Sequence, residues 1–400
     1  MKFGIIEQPY GAFIYSRVLK TYDVIDSTAS LLLKYYLEEP DQEIIVNKLL
    51  EEYDGDPNTF KNYLDKLISF MQTIGYHKVI QPGVNKYDSY LINSEKNKLK
   101  IVRADISLID DCNLNCKYCY AFESSPSKSF ISGDDWINLL DKLYLEGLRV
   151  VIISGGEPML HPDFKNLIEY AARKFIVELN TNGTLINRET AEWLAAQNLQ
   201  SVLISLDSII STHHDEMRGY GTKVKAINAI NFLRESGVPV RISTTLLNDN
   251  VDEITPLQKF ADKVGAELFY TNARRTGRAK FLSLENWSQK VLSARKNDLD
   301  EELEGMDCIC QSILGYWAMN SRGDLKPCNM NDSFFSGIDK KLLINKNSQM
   351  VENARSLIND FSNKLSEQSI SEIKVIRNTK YDGYYCPYEF VYGNKEEDNL

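Results

Sequence analysis

The sequence predicts an α/β protein: a partial (β/α)6 barrel with an N-terminal winged-helix-like domain and a small C-terminal domain. Three observations predict this architecture. Apolar segments of strand length alternate with helical patterns over residues 101–275, two apolar runs and three helical patterns occupy residues 1–95, and the last quarter holds four of the seven cysteines. Alternating strands and helices are typical of parallel sheets built from βαβ units.

The composition indicates a globular protein with two to three domains. The chain has 400 residues, 43% of them apolar, and its 46 basic and 56 acidic residues give a net charge of −10. This charge disfavours a nucleic-acid partner, because phosphate binding requires clustered cations. No apolar stretch approaches the roughly 20 residues of a membrane span, and the N-terminus lacks a signal-peptide pattern, so we expect no membrane partner and a cytoplasmic location.

Residues 1–95 predict a small winged-helix-like domain. The segment FGIIEQPYGAFIYS contains two short apolar runs that predict paired strands. Helical spacing then predicts a first helix that includes Ile25, a second over 42–53 and a third that ends near Gly75. Asp56 is suited to cap the third helix and Pro57 to occupy its first position.

Residues 100–275 predict the partial barrel. Six apolar strands are expected, over 101–108, 149–154, 176–180, 201–206, 239–245 and 266–271. Helical patterns separate them, over 133–147, 162–174, 187–197, 222–236 and 252–264. Six strands are too few for the closed eight-stranded barrel. In parallel sheets of this kind, active sites gather at the C-terminal ends of the strands.

Three cysteines follow the first predicted strand of the barrel. Cys112, Cys116 and Cys119 have the spacing Cys-x3-Cys-x2-Cys within one loop. Three thiolates can hold three irons of a cubane cluster and leave the fourth iron without a protein ligand. A zinc site remains an alternative, although it would require a fourth cysteine or histidine nearby. Clustering and an odd total of seven disfavour a disulfide framework.

This loop and a second motif resemble those of the radical S-adenosylmethionine (SAM) enzymes. The resemblance covers most of residues 101–275: the loop matches CxxxCxΦC with Tyr118 at Φ, and the family's GGEP signature is present as Gly155, Gly156, Glu157 and a proline. It implies a [4Fe-4S] cluster on the three cysteines and Tyr118 beside the adenine of SAM. The glycines would let the backbone approach the ligand, and Glu157 is expected to accept hydrogen bonds from the SAM ammonium group.

Later strand ends also match the family. Residues 180–183, NTNG, resemble the segment that contacts the SAM ribose, and we assign this role to Asn182. Ser205 and Arg218 match residues that hold the methionine carboxylate in similar peptide-modifying enzymes. The alternatives are that Asn182 only shapes a turn and that Arg218 is a surface cation. Candidate substrate contacts at the ends of strands five and six are Thr244, Thr245, Tyr270 and Asn272.

The chemistry that the resemblance implies is radical formation from SAM. SAM chelates the open iron, and one electron from the reduced cluster cleaves it to methionine and a 5′-deoxyadenosyl radical. The radical then abstracts a hydrogen atom from an unactivated carbon of the substrate. The protein positions the reactants and excludes water and oxygen. An electron donor such as flavodoxin or ferredoxin is the expected redox partner.

The cysteines of residues 276–400 suggest a second metal centre. Cys310, Gly323 and Cys328 resemble the opening of the SPASM domain, which carries auxiliary iron–sulfur clusters, and Gly323 is suited to a hairpin turn. Too few cysteines follow for two clusters. One auxiliary cluster held by Cys310, Cys328, Cys386 and Cys308 resembles the truncated, twitch-like arrangement. Zinc and buried free thiols are the alternatives; without Cys308, three thiolates would leave an open iron for a substrate thiolate.

Residues 1–95 resemble the RiPP recognition element, which binds the leaders of ribosomally made precursor peptides. Such a domain adds the leader as a strand at an open sheet edge, which we expect near Phe3–Ile6 or Phe13–Tyr15. Nine basic and fourteen acidic residues give this region a net charge of −5, which favours a basic leader over DNA. A simple stabilising cap is the alternative role.

Together these features predict a radical SAM enzyme that matures a ribosomal precursor peptide, with a thioether crosslink as the first expectation. A carbon–carbon crosslink and epimerisation are the alternatives, followed by side-chain oxidation like that of sulfatase-maturating enzymes. A DNA-binding regulator with an iron–sulfur sensor is the non-enzyme alternative. It would require a cationic recognition helix, whereas the third helix carries only Lys61 and Lys66 beside Asp56 and Asp65.

Overall fold

A computed structural model of the protein describes residues 3–8, 11–80, 100–120, 130–272, 277–282, 316–323 and 325–326. The N-terminal region is a three-stranded sheet followed by three helices. Its elements are β1 (Gly4–Gln8), β2 (Gly11–Ser16), β3 (Thr21–Asp26), α1 (Ser27–Glu38), α2 (Gln42–Glu52) and α3 (Pro57–Thr73). The helices bury the apolar residues of one sheet face in a core centred on Leu33, Ile45 and Leu64.

The residues predicted to begin and end the third helix are confirmed. Asp56 accepts a hydrogen bond from the Thr59 backbone N–H, and Pro57 occupies the first helical position. Gly75 follows the helix with φ +86°, a left-handed conformation that favours glycine after a helix end.

Two predictions for this region are wrong. Ile25 lies in a third strand, β3, which the sequence analysis missed, and α1 begins only after Asp26, whose carboxylate accepts from the Ala29 N–H. The strand pattern of TYDVID is hard to recognise in the sequence, because Ile25 also fits the apolar spacing of the following helix. The segment Phe13–Tyr15 is no sheet edge, because β2 pairs with β1 on one side and β3 on the other.

The barrel region confirms every predicted strand and helix to within two residues. It also contains one short helix, α7, that was not predicted. The elements are β4 (Arg103–Ser107), α4 (Gly133–Glu146), β5 (Val150–Ser154), α5 (Phe164–Lys174), β6 (Ile176–Thr181), α6 (Arg188–Ala196), β7 (Ser201–Ser205), α7 (His213–Arg218), α8 (Thr222–Glu235), β8 (Val240–Leu246), α9 (Ile254–Val264) and β9 (Glu267–Asn272). A continuous apolar core fills the space between the sheet and the helices.

The sheet is larger than predicted. A hairpin of β10 (Tyr316–Met319) and β11 (Leu325–Lys326) extends it, with the order β11-β10-β4-β5-β6-β7-β8-β9. Strand β10 runs parallel to β4, so seven strands are parallel and β11 alone is antiparallel. The predicted hairpin turn at Gly323 is confirmed, with φ +79°. This part of the predicted C-terminal domain therefore belongs to the barrel sheet. Cys308, Cys310, Cys328 and Cys386 lie outside the described residues.

The N-terminal sheet packs against the N-terminal ends of the barrel strands. Phe13 and Tyr15 of β2 share an apolar cluster with Val102, Val150 and Ile176. At its centre the guanidinium of Arg149, which is almost fully buried, donates to the Tyr15 hydroxyl over 2.9 Å and to two backbone carbonyls. The sheet is thus covered by helices on one face and by the barrel on the other.

A polar network also joins the two regions. The Tyr22 hydroxyl of β3 donates to Glu178 of β6 over 2.9 Å, and Arg103 of β4 donates to Tyr22 over 3.1 Å. Arg103 lies between two rings, 5.8 Å from the Tyr22 centroid and 5.0 Å from that of Tyr316. Strands β3, β4, β6 and β10 therefore meet at one point. Within the described residues, no helix is long and apolar enough to cross a membrane.

Candidate active site

The cysteine loop lies at the C-terminal end of β4 and borders a large cavity. Cys112, Cys116 and Cys119 all line this cavity, which has a volume of about 620 Å³. Strand β4 delivers the chain to this end of the barrel, and the loop is then held by the Lys117 N–H, which donates to the Met217 carbonyl over 2.8 Å. The structure thus brings the three predicted thiols to one site.

The paired glycines bring the loop after β5 against the cysteine loop. The Gly156 N–H donates to the Ile109 carbonyl over 2.7 Å, and the Glu157 N–H donates to the Asp111 carbonyl over 2.9 Å. A Cβ at Gly156 would lie 2.3 Å from the Asp111 oxygen, so only glycine fits there. Gly155 and Gly156 also line the cavity. The glycines therefore permit a backbone–backbone approach as well as access to the cavity.

The Glu157 side chain lies between the ends of β5 and β6. Its side chain is fully buried and accepts from the Thr181 hydroxyl over 2.7 Å and from the Asn182 N–H over 2.9 Å. Burial raises the pKa of its carboxyl group, and these hydrogen bonds oppose that rise. Glu157 joins the end of β5 to the end of β6 beneath the cavity, and it is absent from the cavity lining. Its contact with the SAM ammonium group stays a prediction.

Asn182 connects the end of β6 to the cysteine loop. Its amide nitrogen donates to the Asn113 side-chain oxygen over 2.9 Å and lies 3.9 Å from the Cys112 sulfur. Its own oxygen accepts from the Thr184 N–H. Asn182 lines the cavity, so it both shapes the turn and faces the space that a ligand would fill. Its contact with a ribose stays a prediction.

Arg218 is buried and paired. The alternative that Arg218 is a surface cation is therefore wrong. Its guanidinium donates twice to Asp207, from Nε over 2.6 Å and from Nη2 over 3.2 Å. Asp207 also accepts from the Tyr118 hydroxyl and, over 3.0 Å, from the Thr245 N–H. Arg218 lies 5.2 Å from the Tyr118 ring centroid. One carboxylate thus fixes the arginine and the tyrosine of the cysteine loop, and both border the cavity.

Asp207 is ionised and His214 beside it is neutral. Burial would raise the pKa of Asp207, but the Arg218 charge and its hydrogen bonds hold this pKa below its usual range. Burial, assisted by Arg218, lowers the pKa of His214 to about 4. The neutral ring accepts the Asp207 backbone N–H at Nδ1 over 3.1 Å. The histidine therefore orients Asp207 without adding charge.

The wall opposite the cysteine loop is rich in hydroxyl groups. Ser205 lines the cavity as predicted, together with Ser243, Thr245 and Thr271. Thr244 does not, because it is buried and donates to the Leu206 carbonyl over 2.7 Å. Alternation along the strands puts Thr245 and Thr271 on the inner face and excludes Thr244 and Tyr270 from the cavity lining. The Asn272 side chain lies outside the described part.

The three thiols lie on a cavity with room for a cluster. Among the described residues, no three Cys, His, Asp or Glu side chains converge closely enough to hold one ion. The three thiols instead share a cavity that is large enough for a cluster and a further ligand. Burial raises the pKa of Cys116, opposed by Arg218 and Arg278. A thiol with a raised pKa is a poor free nucleophile, and metal binding would displace its proton.

Two residues of the site were missed by the sequence analysis. Asp207 was given no role there, although an acidic residue directly after a predicted strand and a downstream His-x3-Arg pair are visible signals. Arg278 follows β9 and donates from Nε to the Cys116 carbonyl over 2.7 Å. It is 162 positions from its partner, and no local pattern indicates such a contact.

We predict that Asp207→Asn lowers the free energy of unfolding by about 3–5 kcal/mol near pH 7, because it leaves the Arg218 charge buried without its partner. Asp207 has a depressed pKa in the folded state, so its contribution is present above the pKa of the unfolded chain and is lost as pH falls through the folded pKa. The difference between wild type and variant should therefore shrink below about pH 4. Urea titrations across this range measure it.

Asp141→Asn is the matched control. Asp141 also pairs with a cation, Lys174, but its side chain is 46% exposed, so its loss should cost less than about 1 kcal/mol. Equal effects of the two substitutions, or an undiminished Asp207→Asn difference in acid, would contradict the buried ion pair.

Part of the barrel matches the model of a known protein family. Residues 106–261 match the model described as the radical SAM superfamily. The match begins in β4 and ends in α9, so it includes the cysteine loop, the paired glycines, Glu157, Asn182, Asp207 and Arg218.

Curated relatives include two proteins of Bacillus subtilis (strain 168). The chain is 29% identical over 224 residues to the antilisterial bacteriocin subtilosin biosynthesis protein AlbA, which covers 55% of this chain and 49% of that protein. It is 28% identical over 250 residues to the sporulation killing factor maturation protein SkfB, with 58% and 61% covered. The chain thus spans about half to three fifths of the length of these relatives.

Solved structures of Streptococcus suis SuiB share the fold. SuiB bound to S-adenosylmethionine superposes with a TM-score of 0.63 at 16% identity, covering 96% of this chain and 97% of SuiB. SuiB bound to its precursor peptide SuiA gives a TM-score of 0.60 at 16% identity, with 88% and 87% covered. At this identity the likeness shows the fold. The α/β fold is that of radical SAM proteins, residues 106–261 match the radical SAM superfamily model, and the chain is similar to a bacteriocin biosynthesis protein and to a killing factor maturation protein.

Proposed function

We propose that this protein is a radical SAM enzyme that modifies a ribosomally made precursor peptide. The observation that carries the proposal is the position of Cys112, Cys116 and Cys119 on one cavity at the C-terminal end of a parallel barrel. A [4Fe-4S] cluster on these thiols would, when reduced, supply the electron that cleaves SAM to a 5′-deoxyadenosyl radical. The cavity beside the loop has room for SAM and for the reacting part of a substrate.

Other residues of this chain would bind and orient the reactants. Asp207 holds Arg218 at the cavity, where the arginine can bind a carboxylate. Asn182 and Ser205 place polar groups on the same cavity. Glu157 keeps the ends of β5 and β6 together beside the cysteine loop. These groups orient SAM and restrict access of water to the reacting atoms.

Names of the relatives support a peptide substrate. AlbA is described as a bacteriocin biosynthesis protein and SkfB as a killing factor maturation protein. SuiB has the same fold and was crystallised with a precursor peptide. The hydroxyl-rich wall of Ser243, Thr245 and Thr271 offers this chain a surface for hydrogen bonds to a peptide backbone.

Residues 1–95 would bind the leader of that peptide. Helices cover one face of the N-terminal sheet and the barrel covers the other. Only the sheet edges remain for an added strand. Within the described strands these edges are β1, which begins one residue after the start of the predicted Phe3–Ile6 edge, and β3. Backbone groups at such an edge can hydrogen-bond an extended leader. The role of stabilising cap is compatible with the same contacts, because the sheet also buries the lower end of the barrel.

The proposed product is a thioether. A hydrogen atom leaves a substrate carbon for the 5′-deoxyadenosyl radical, a cysteine thiolate of the peptide forms the C–S bond after its proton is lost, and one electron passes to an oxidised iron–sulfur cluster. An auxiliary cluster on Cys308, Cys310, Cys328 and Cys386 would accept that electron. Carbon–carbon crosslinking has the same electron balance, whereas epimerisation requires none to leave.

The first test concerns the radical SAM cluster. We expect about eight irons per wild-type chain and about four in Cys116→Ala, because one of two cubane clusters loses a ligand. Production of 5′-deoxyadenosine from SAM and dithionite should fall to background in this variant. The measurement is iron analysis and chromatography of anaerobic reactions.

Cys386→Ala is the matched control for the loss of a cysteine. It should also contain about four irons, because only the auxiliary cluster loses a ligand, and it should still cleave SAM. Production of 5′-deoxyadenosine by Cys116→Ala at the wild-type rate would contradict the assigned site.

The second test concerns the product. Co-expression with the short peptide encoded beside the gene should yield a peptide lighter by two hydrogens, and iodoacetamide should fail to alkylate one of its cysteines. The same core peptide without its leader should remain unmodified. Mass spectrometry distinguishes this result from epimerisation, which leaves the mass unchanged, and from a carbon–carbon crosslink, which leaves the thiol reactive. A peptide that remains unmodified with its leader attached would contradict the proposed maturase.

A further inference from the structure

The chain that follows β9 returns to the cysteine loop. The short 3-10 helix Gly277–Phe281 lies against this loop, and its Arg278 N–H donates to the Cys119 carbonyl over 2.9 Å. The Arg278 guanidinium donates from Nε to the Cys116 carbonyl over 2.7 Å and from Nη1 to the Asn115 side-chain oxygen. One residue thus contacts three positions of the loop, two of them cysteines.

Gly277 permits the close approach of the 3-10 helix to the cysteine loop. A Cβ at this position would lie 2.3 Å from the Cys119 oxygen and 2.7 Å from the Tyr120 oxygen, and the residue has φ +55°. Beyond Arg278, Ala279 is fully buried in an apolar cluster with Tyr118 and Met217. The contact is therefore packed on both sides of the arginine.

Arg278 also brings a positive charge to the Cys116 position. Its guanidinium is hydrogen-bonded to the Cys116 carbonyl over 2.7 Å, so the charge lies at the backbone of a proposed cluster ligand. A cation and hydrogen bonds near a cluster stabilise its reduced state, because the reduced cluster carries one more negative charge. Arg218 is paired with Asp207, and Arg278 contacts the loop at a different point, the Cys116 carbonyl.

We propose that Arg278 is a positioning residue for the cluster. It clamps the Asn115–Cys119 turn through its planar guanidinium, and its charge raises the reduction potential of the cluster held there. The inference rests on the proposed function, since it requires an iron–sulfur cluster on the three cysteines. It further implies that the chain after the barrel contributes to the radical SAM centre as well as to any auxiliary cluster.

Three variants of the anaerobically reconstituted full chain test the inference. Arg278→Gln removes the charge, Arg278→Lys keeps the charge but lacks the planar fork, and Arg188→Gln removes a charge from an exposed ion pair on α6 as a control. The readouts are the midpoint potential from an EPR-monitored redox titration and the rate of iron release to a chelator, both measured without SAM.

We expect a more negative midpoint in Arg278→Gln, such that the reduced fraction at the wild-type midpoint falls several-fold; a tenfold change in the equilibrium constant would correspond to about 59 mV. Arg278→Lys should keep a midpoint near that of wild type but release iron faster. Failure of both variants to retain iron, with Arg188→Gln normal, would also support the clamp.

An unchanged midpoint in Arg278→Gln would overturn the electrostatic role, and wild-type iron release from Arg278→Lys would overturn the clamp. A wild-type chain without a reducible cluster would instead refute the proposed function. The two failures are therefore distinguishable.

Discussion

The buried pair of Asp207 and Arg218 is the interaction on which the candidate site depends. Asp207 follows β7, Arg218 ends α7, and Tyr118 belongs to the cysteine loop, yet one carboxylate bonds both partners. Its other oxygen accepts the Thr245 N–H of β8 over 3.0 Å. A fully buried carboxylate is costly unless such partners surround it. Loss of the charge would therefore release the loop, the helix and the adjoining strand together.

The cysteine loop itself is held from three directions. The paired glycines approach it from β5, Asn182 contacts it from β6, and Arg278 contacts it from beyond β9. Most of these contacts involve backbone carbonyls or side-chain amides of the loop and not its thiols. A ligand loop that is fixed by its backbone loses less entropy when the cluster binds.

The sequence predicted the barrel well because its strands and helices are encoded locally. Periodicities such as Leu167, Ile168 and Ala171 on α5 depend only on near neighbours, and the motif residues sit directly after the strands that carry them. Strand β3 was missed because Ile25 serves both its pattern and that of α1. Contacts between distant segments determine the position of Arg278, the burial of Arg218 and the orientation of Thr245 toward the cavity. A single sequence does not display such contacts.

The central claim is that the three thiolates leave one iron open to SAM. EPR spectra of the dithionite-reduced protein, recorded before and after addition of SAM, test this claim most directly. If SAM binds the open iron, the g-values of the reduced cluster will shift in the wild type, and Ala in place of Cys386 will not prevent the shift. A reduced cluster with a spectrum that SAM leaves unchanged, or a site filled by zinc, would contradict the account.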